Sequence, residues 1–312
     1  METALASTRR AKKAQTNGHT NGSANGNGGH EPLADAPRHF RLPAAPEHCN
    51  VNTMRAIFLG TADGHTSAKR EHSGILLQTK ETSLLLDCGA AAARYLLAKK
   101  VEPDVPEMLW ISHMHSDHTG LISQLIQSLW LRTRRAPLHI FGPAMILEQM
   151  ADWLEKCLLF PELIGFPIEW HPVRPGKPFQ HGPFKMTAFA TEHLHNLASH
   201  FKRAYPKTCF DCYGLTIEYG SQRYVYSADL AHPVELTPAL EGGKVAALMC
   251  ELTHFPEREL FREMAKHAVK SVWITHYPDH LARRESELKQ IAKEEKFRGE
   301  VHLMHDKVAH DI

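Results

Sequence analysis

Short apolar runs separated by polar, glycine-bearing segments mark the chain from about Met54 onward. Ala56-Ile57-Phe58-Leu59 and Gly74-Ile75-Leu76-Leu77 read as strands joined by a polar loop, and Ser83-Leu84-Leu85-Leu86 as a third. Asp87-Cys88-Gly89 ends that strand, Ala90 to Lys100 carries helix formers, and Met108-Leu109-Trp110-Ile111 is a further buried-strand candidate. Leu121, Ile122, Leu125, Ile126 and Leu129 then recur at three- and four-residue spacing, which is one apolar face of a helix. Strands are also expected over 223–227, 246–250 and 271–275. No internal repeat is found, and strands alternating with helices predict a layered α/β architecture.

Residues 1–50 break this pattern. Thr16 to Gly29 is a low-complexity run, mostly Asn, Gly and Thr, whose one apolar residue, Ala24, cannot offset the entropy of ordering a backbone, so a solvated, disordered tail is expected, followed by one domain over 51–312. Arg9, Arg10, Lys12 and Lys13 stand near its start without the apolar stretch of a secretory signal. No run of about 18 apolar residues occurs, which argues against a membrane span. The whole chain carries 36 basic and 35 acidic side chains; the tail holds six and four of these, so the body has 30 against 31. A body without positive excess is a poor match for long nucleic acid. Arg132, Arg134 and Arg135 form one basic cluster, which also reads as a solvated helix end. Six scattered cysteines do not make a disulfide scaffold and fit a cytoplasmic setting; Cys209 and Cys212 read as ordinary thiols rather than a redox or metal pair.

The unusual feature is 23 histidines. Directly after the Met108 strand comes His113-Met114-His115-Ser116-Asp117-His118, a His-x-His-x-Asp-His motif that residue frequencies alone would yield in roughly 0.4% of such chains. In extended backbone His113 and His115 point the same way and can grip one cation, while Asp117 and His118 fall where strand turns to helix and can turn toward a second. Imidazole and carboxylate suit zinc and, less selectively, manganese or iron.

With Phe58-Leu59-Gly60-Thr61, Leu86-Asp87-Cys88-Gly89 and Tyr226-Ser227-Ala228-Asp229-Leu230, this motif resembles the metallo-β-lactamase superfamily, most nearly its ribonuclease Z and phosphodiesterase branch. The resemblance covers the chain from about residue 54 onward. It implies a four-layered αββα sandwich with two divalent metal ions at one edge. It further implies that His193 completes the first metal's ligands, with His195 two residues away as the alternative, that Asp229 bridges both metals, and that His276 closes the second set. Asp87 then belongs behind the ligands, or else caps the helix from Ala90. His65, His72, His232 and His280 are weaker candidates for facing substrate.

Two divalent cations can hold a bridging hydroxide at neutral pH, and that hydroxide is the expected nucleophile, with Asp117 orienting it. Where the branch carries His-Glu-Ala-Thr this chain reads Cys250-Glu251-Leu252-Thr253-His254, so Glu251 survives and His254 is the candidate proton donor. Ala228 replaces a usual glycine, Arg70-Glu71 a usual Arg-Asn, and Tyr277 a usual serine. These departures point away from transfer-RNA 3′ maturation. The expected function is a dinuclear metal hydrolase of a phosphodiester, a small or cyclic nucleotide or an RNA end, with Arg70, Lys69 or His72 as cationic partners. Hydrolysis of a thioester, lactone or β-lactam, or metal binding without hydrolysis, are the alternatives. Self-association as a homodimer is left open.

Overall fold

A computed structural model describes residues 53–312; the tail expected over 1–50 lies outside the described residues. Fourteen strands run through the described residues: β1 Arg55–Gly60, β2 Gly74–Gln78, β3 Ser83–Leu86, β4 Met108–Trp110, β5 Leu138–Pro143, β6 Ile168–Val173, β7 Pro178–His181, β8 Phe184–Thr191, β9 Cys212–Tyr219, β10 Gln222–Tyr226, β11 Ala247–Cys250, β12 Ser271–Ile274, β13 Glu300–Leu303 and β14 Val308–Asp311. They form two seven-stranded sheets, ordered β14-β1-β2-β3-β4-β5-β6 and β13-β12-β11-β10-β9-β8-β7. Each sheet is antiparallel on one side and parallel on the other: β3 to β6 run parallel in the first, β10 to β13 in the second.

The alternation of side chains along each strand builds the layers. Ala56, Phe58, Leu77, Leu84 and Trp110 of the first sheet meet Phe184, Leu215, Tyr224, Met249 and Trp273 of the second in one buried cluster. Their neighbours Ile57, Leu76, Leu85 and Leu109 face outward under the helices Ala92–Ala98, Ile122–Leu131 and Ala144–Lys156. Val225, Leu248 and Val272 do the same under Glu257–Met264 and Glu285–Glu294. Both faces of both sheets are therefore covered, giving helix, sheet, sheet, helix as expected. That double burial is why the inner strands read as unbroken apolar runs.

Seven expected strands appear within one residue of their limits. Strands β5 to β9, β13 and β14 were not expected. The parallel strands β3, β4, β10, β11 and β12 all finish at one end of the sandwich, with Leu86 paired to Trp110, Tyr226 to Met249 and Cys250 to Ile274. The segments that follow them converge on that end.

Candidate metal centre

Each ligand candidate stands just past a strand end. His113 and His115 follow β4, His193 follows β8, Asp229 follows β10 and His276 follows β12, while Asp117 and His118 lie on the short helix Ser116–Thr119. Reaching the site takes sharp backbone turns: Asp87, Ala228 and His276 adopt positive φ of 55°, 52° and 45°. The left-handed turn at Ala228 explains why glycine suits that position. The loop after β3 also runs against the Ser116–Thr119 helix, where the Cys88 N–H donates to the His118 carbonyl at 2.7 Å. A Cβ at Gly89 would fall 1.7 Å from the Asp117 carbonyl oxygen, so only glycine fits.

The donor atoms sort into two groups. His113, His115, His193 and Asp229 present nitrogen and oxygen atoms all within 4.8 Å of one another. Within this group His193 Nε2 lies 3.2 Å from His115 Nδ1 and 3.5 Å from Asp229 Oδ2, which in turn lies 3.8 Å from His113 Nε2. Asp117, His118 and His276 form the second. Here Asp117 Oδ2 is 3.7 Å from His118 Nε2 and 3.8 Å from His276 Nε2, and the other Asp229 oxygen, Oδ1, is 3.2 Å and 3.4 Å from the same two nitrogens. Asp229 thus gives one oxygen to each group. A tetrahedral zinc with bonds of about 2.0–2.1 Å spaces its ligands about 3.4 Å apart, close to these separations.

Three atoms here, His113 Nε2, His118 Nε2 and Asp229 Oδ1, are buried without a hydrogen-bond partner. Orphaned buried groups are costly, and a cation between them would satisfy all three. The opposite ring nitrogens are held from behind. Asp87 is fully buried and accepts from His118 Nδ1 at 2.8 Å, from the Ser112 N–H at 2.8 Å, from the Ser112 hydroxyl at 2.6 Å and from the Tyr226 hydroxyl at 2.7 Å. Since a carboxylate only accepts, His118 Nδ1 carries a hydrogen, so Nε2 is the nitrogen that would offer its lone pair to a cation. Ser112 Oγ spends its own hydrogen on Asp87 and so accepts from His113 Nδ1 at 3.0 Å, fixing His113 the same way. Ser73 Oγ stands 3.0 Å from His276 Nδ1. Asp87 is therefore not a helix cap; the N-cap of Ala92–Ala98 is Ala91, with no side-chain bond.

Electrostatics match this division. Burial, helped by the neighbouring His118, pushes the His113 imidazole well below the ordinary histidine range, and burial takes His193 down to about 4. Burial also opposes charge on His118 and His276, but the Asp229 carboxylate outweighs it and holds both above their usual value. Asp229 itself is held well below the carboxylate range, burial being overcome by His276 and His118. Converging buried carboxylates demand positive charge, which these protonated imidazoles or bound cations can provide.

His195 is exposed on the first turn of His195–Phe201 and joins neither group. Glu251 is buried and accepts from the N–H groups of Leu230, Thr253 and His254 at 2.7, 2.9 and 3.2 Å and from His254 Nδ1 at 2.8 Å. The His254 ring lies 4.6 Å from that of His193, centroid to centroid. His65 is 92% exposed and contacts Asp63, His72 Nδ1 donates to the Asp63 carbonyl at 2.8 Å, and His232 and His280 are exposed. Arg70 is committed elsewhere: its guanidinium donates to the carbonyls of Thr61 and Tyr277 and to Asp279, and stacks 4.3 Å above the Tyr277 ring. Lys69 is exposed. Of the Arg132, Arg134 and Arg135 cluster, Arg134 is not a surface charge: it is 1% exposed and donates to the carbonyls of Pro103, Pro106, Ala136 and Pro137, while Arg135 is exposed. Cys209 and Cys212 are free and buried, with burial raising the Cys209 thiol to about 11. Three contributors were missed in the sequence, Ser73, Ser112 and Tyr226; nothing local signals the bonds of the last two to Asp87 or the contact of Ser73 with His276. A cleft of about 260 Å³ opens beside His193, lined by Thr191, Glu192, His195, Lys202 and Asp211 among others.

Residues 54–297 match the family model described as anti-Pycsar protein Apyc1. Ribonuclease Z of Methanothermobacter thermautotrophicus is 32% identical over 152 residues, 48% of each chain, and ribonuclease BN of Salmonella gallinarum is 28% identical over 204 residues, 62% of this chain and 61% of that one. The chain spans about half the length of the curated ribonuclease Z relatives it matches. Among solved structures, the metallo-β-lactamase fold protein YhfI of Bacillus subtilis superposes with a TM-score of 0.66 at 24% identity, over 84% of this chain and all of that one. Human tRNase Z, short form, superposes with a TM-score of 0.59 at 16% identity, over 82% and 98%.

Proposed function

The chain belongs to the anti-Pycsar protein Apyc1 family within the metallo-β-lactamase superfamily, and from that premise we propose that it is a dinuclear metal hydrolase cleaving phosphodiesters in small or cyclic nucleotides. The observation that carries the dinuclear reading is the division of Asp229, one carboxylate oxygen to each of two groups of neutral-capable donors. In this reading His113, His115, His193 and Asp229 hold one ion, and Asp117, His118, His276 and Asp229 the other. Two divalent cations bound there would supply Lewis acidity and acidify a water so that it can act as nucleophile at neutral pH.

The residues of this chain supply the rest. Asp87, Ser112 and Ser73 fix the ring orientations of His118, His113 and His276 before anything binds. Asp117 places a carboxylate oxygen between His118 and His276, where it can take a hydrogen bond from the attacking water. His254, with Nδ1 engaged by Glu251 and its ring against His193, has Nε2 left to deliver a proton to the leaving oxygen. Glu251 acts through His254 as a positioning residue, since its oxygens are taken up by backbone N–H groups and that ring.

Phosphodiester is favoured over acyl substrates by the ribonuclease Z likeness, and the cleft next to His193, of mixed polar and apolar lining, offers Lys202 as a cationic group. Small substrates are favoured over long RNA because the body has no net positive charge and two arginines of its basic cluster, Arg132 and Arg134, are spent on backbone carbonyls. The test is a panel on zinc- and manganese-loaded protein: cyclic and linear nucleotide phosphodiesters, a tRNA precursor, a lactone, a thioester and a β-lactam. Turnover of the nucleotides, with Lys202→Ala raising KM more than it lowers kcat, is the expected result. Preference for an acyl substrate or for the tRNA precursor would overturn it.

A further inference from the structure

A second cluster of donors sits at the opposite end of the strands. His139 on β5 pairs in register with Glu169 on β6, and Phe141 with His171, so His139, Glu169 and His171 project from the same face of the first sheet. That face is the one turned toward the second sheet, because Leu138 and Ile140 pack under the helices while Phe141 and Val173 join the inter-sheet cluster. Met108, at the start of β4, is the register partner of His139. His113 lies five residues further on, which at about 3.3 Å per residue puts the two clusters on the order of 15 Å apart.

Three donor atoms converge here. His139 Nδ1 is 3.1 Å from His171 Nε2 and 3.3 Å from Glu169 Oε2, and the last two are 3.9 Å apart. A hydrogen on His139 Nδ1 is at best shared between His171 Nε2 and Glu169 Oε2, so one proton serves three converging electron-pair donors. A cation accepts from all three, and the separations match the edges of about 3.4 Å in a tetrahedral zinc site. The side chains are 15%, 36% and 48% exposed for His139, His171 and Glu169, so an ion can reach them. The His171 ring is held in place by stacking on Phe141, 4.5 Å between centroids and 16° between planes. His181 on β7 packs against His139 at 4.1 Å and gives its Nε2 to Glu107 at 3.1 Å, closing the far wall.

We propose that His139, Glu169 and His171 form a separate binding site for one zinc ion, with water at the fourth position. Because β6 is the edge strand of its sheet, an ion there ties that edge to its neighbour and has a structural task. The two imidazoles and one carboxylate select zinc over magnesium or calcium.

The test counts zinc in full-length protein passed through gel filtration after loading, in two backgrounds: the natural chain, and one carrying His115→Ala and Asp229→Asn. Adding His139→Asn with His171→Asn is expected to remove one zinc equivalent per chain in both backgrounds. The count thus reads this site whatever the other centre holds. Glu169→Gln, at an exposed position that folding does not require, is expected to lose the same equivalent, which keeps the test decisive should the paired histidine variant misfold. Unchanged zinc content in Glu169→Gln and in a folded histidine variant would overturn the proposal.

Discussion

Asp87 offers a sharp test of how the ligands are oriented, because its buried carboxylate serves four donors at once: the Ser112 N–H, the Ser112 hydroxyl, the Tyr226 hydroxyl and His118 Nδ1. Alanine there leaves all four without a partner. At about 1 kcal/mol for each unsatisfied group, the low end of the usual range, the loss is about 4 kcal/mol, a large part of the roughly 5–15 kcal/mol that holds a domain together. Asparagine is more informative. It has the same shape and tolerates the positive φ of 55° at this position at least as well as aspartate, so the backbone is not the cause of any effect. Its amide offers one accepting oxygen where the carboxylate offered two, which costs about 2 kcal/mol for the donors left over. If the amide nitrogen turns toward His118, it donates to Nδ1 and drives the ring proton onto Nε2, the nitrogen that faces Asp229. Zinc affinity is then expected to fall by about 10- to 100-fold, the usual cost of losing a partner behind a ligand. Chelator competition measures the affinity, and urea unfolding of metal-free protein measures the stability. An Asp87→Asn protein whose zinc affinity stays within twofold of the natural chain would refute the orientation argument, whatever happens to its stability.

Three other outcomes follow from the same geometry. His193→Ala should lose a metal equivalent and turnover while His195→Ala keeps both, measured by elemental analysis and initial rates, since only His193 joins the donor group. Arg134→Ala should lower stability by about 3 kcal/mol or more in urea unfolding, because four backbone carbonyls lose their donor, and Arg134→Lys should not restore it, an ammonium being unable to span that fan of acceptors. Ala228→Gly should leave the urea midpoint nearly unchanged, relief of left-handed strain offsetting the lost methyl, while Ala228→Val should cost about 3 kcal/mol through strain and overpacking.

What the sequence shows most clearly are elements whose both faces are buried. β1 to β4 and β10 to β12 appear as apolar runs because neither side meets water. β6 and β7 are edge strands whose half-exposed residues, Ile-Glu-Trp-His-Pro-Val and Pro-Phe-Gln-His, give no such run, and their pairing is a tertiary fact. The donors were legible because imidazole and carboxylate at strand ends have few other reasons to cluster, and the choice between His193 and His195 needed only the geometry of one turn. What supports the donors was not legible. Tyr226 reaches Asp87 across 139 residues of chain, and no local pattern encodes that meeting. Arginine misled in the opposite way: Arg70 and Arg134 look like surface charge but act as buried connectors between backbone carbonyls.

Closure of the first sheet has a bearing on how the chain reaches this state. β1 takes β2 on one side and β14 on the other, with Arg55 opposite Asp311 and Phe58 opposite Val308. During synthesis the second edge of β1 stays open until residues more than 250 positions later have emerged, an interval of tens of seconds at about 5–20 residues per second. Throughout that time an apolar strand offers unpaired N–H and C=O groups to any other nascent chain. β14 is therefore a cap against aggregation as well as part of the sheet, and lesions in 308–311 should reduce the yield of soluble protein more than they lower the stability of the molecules that do fold.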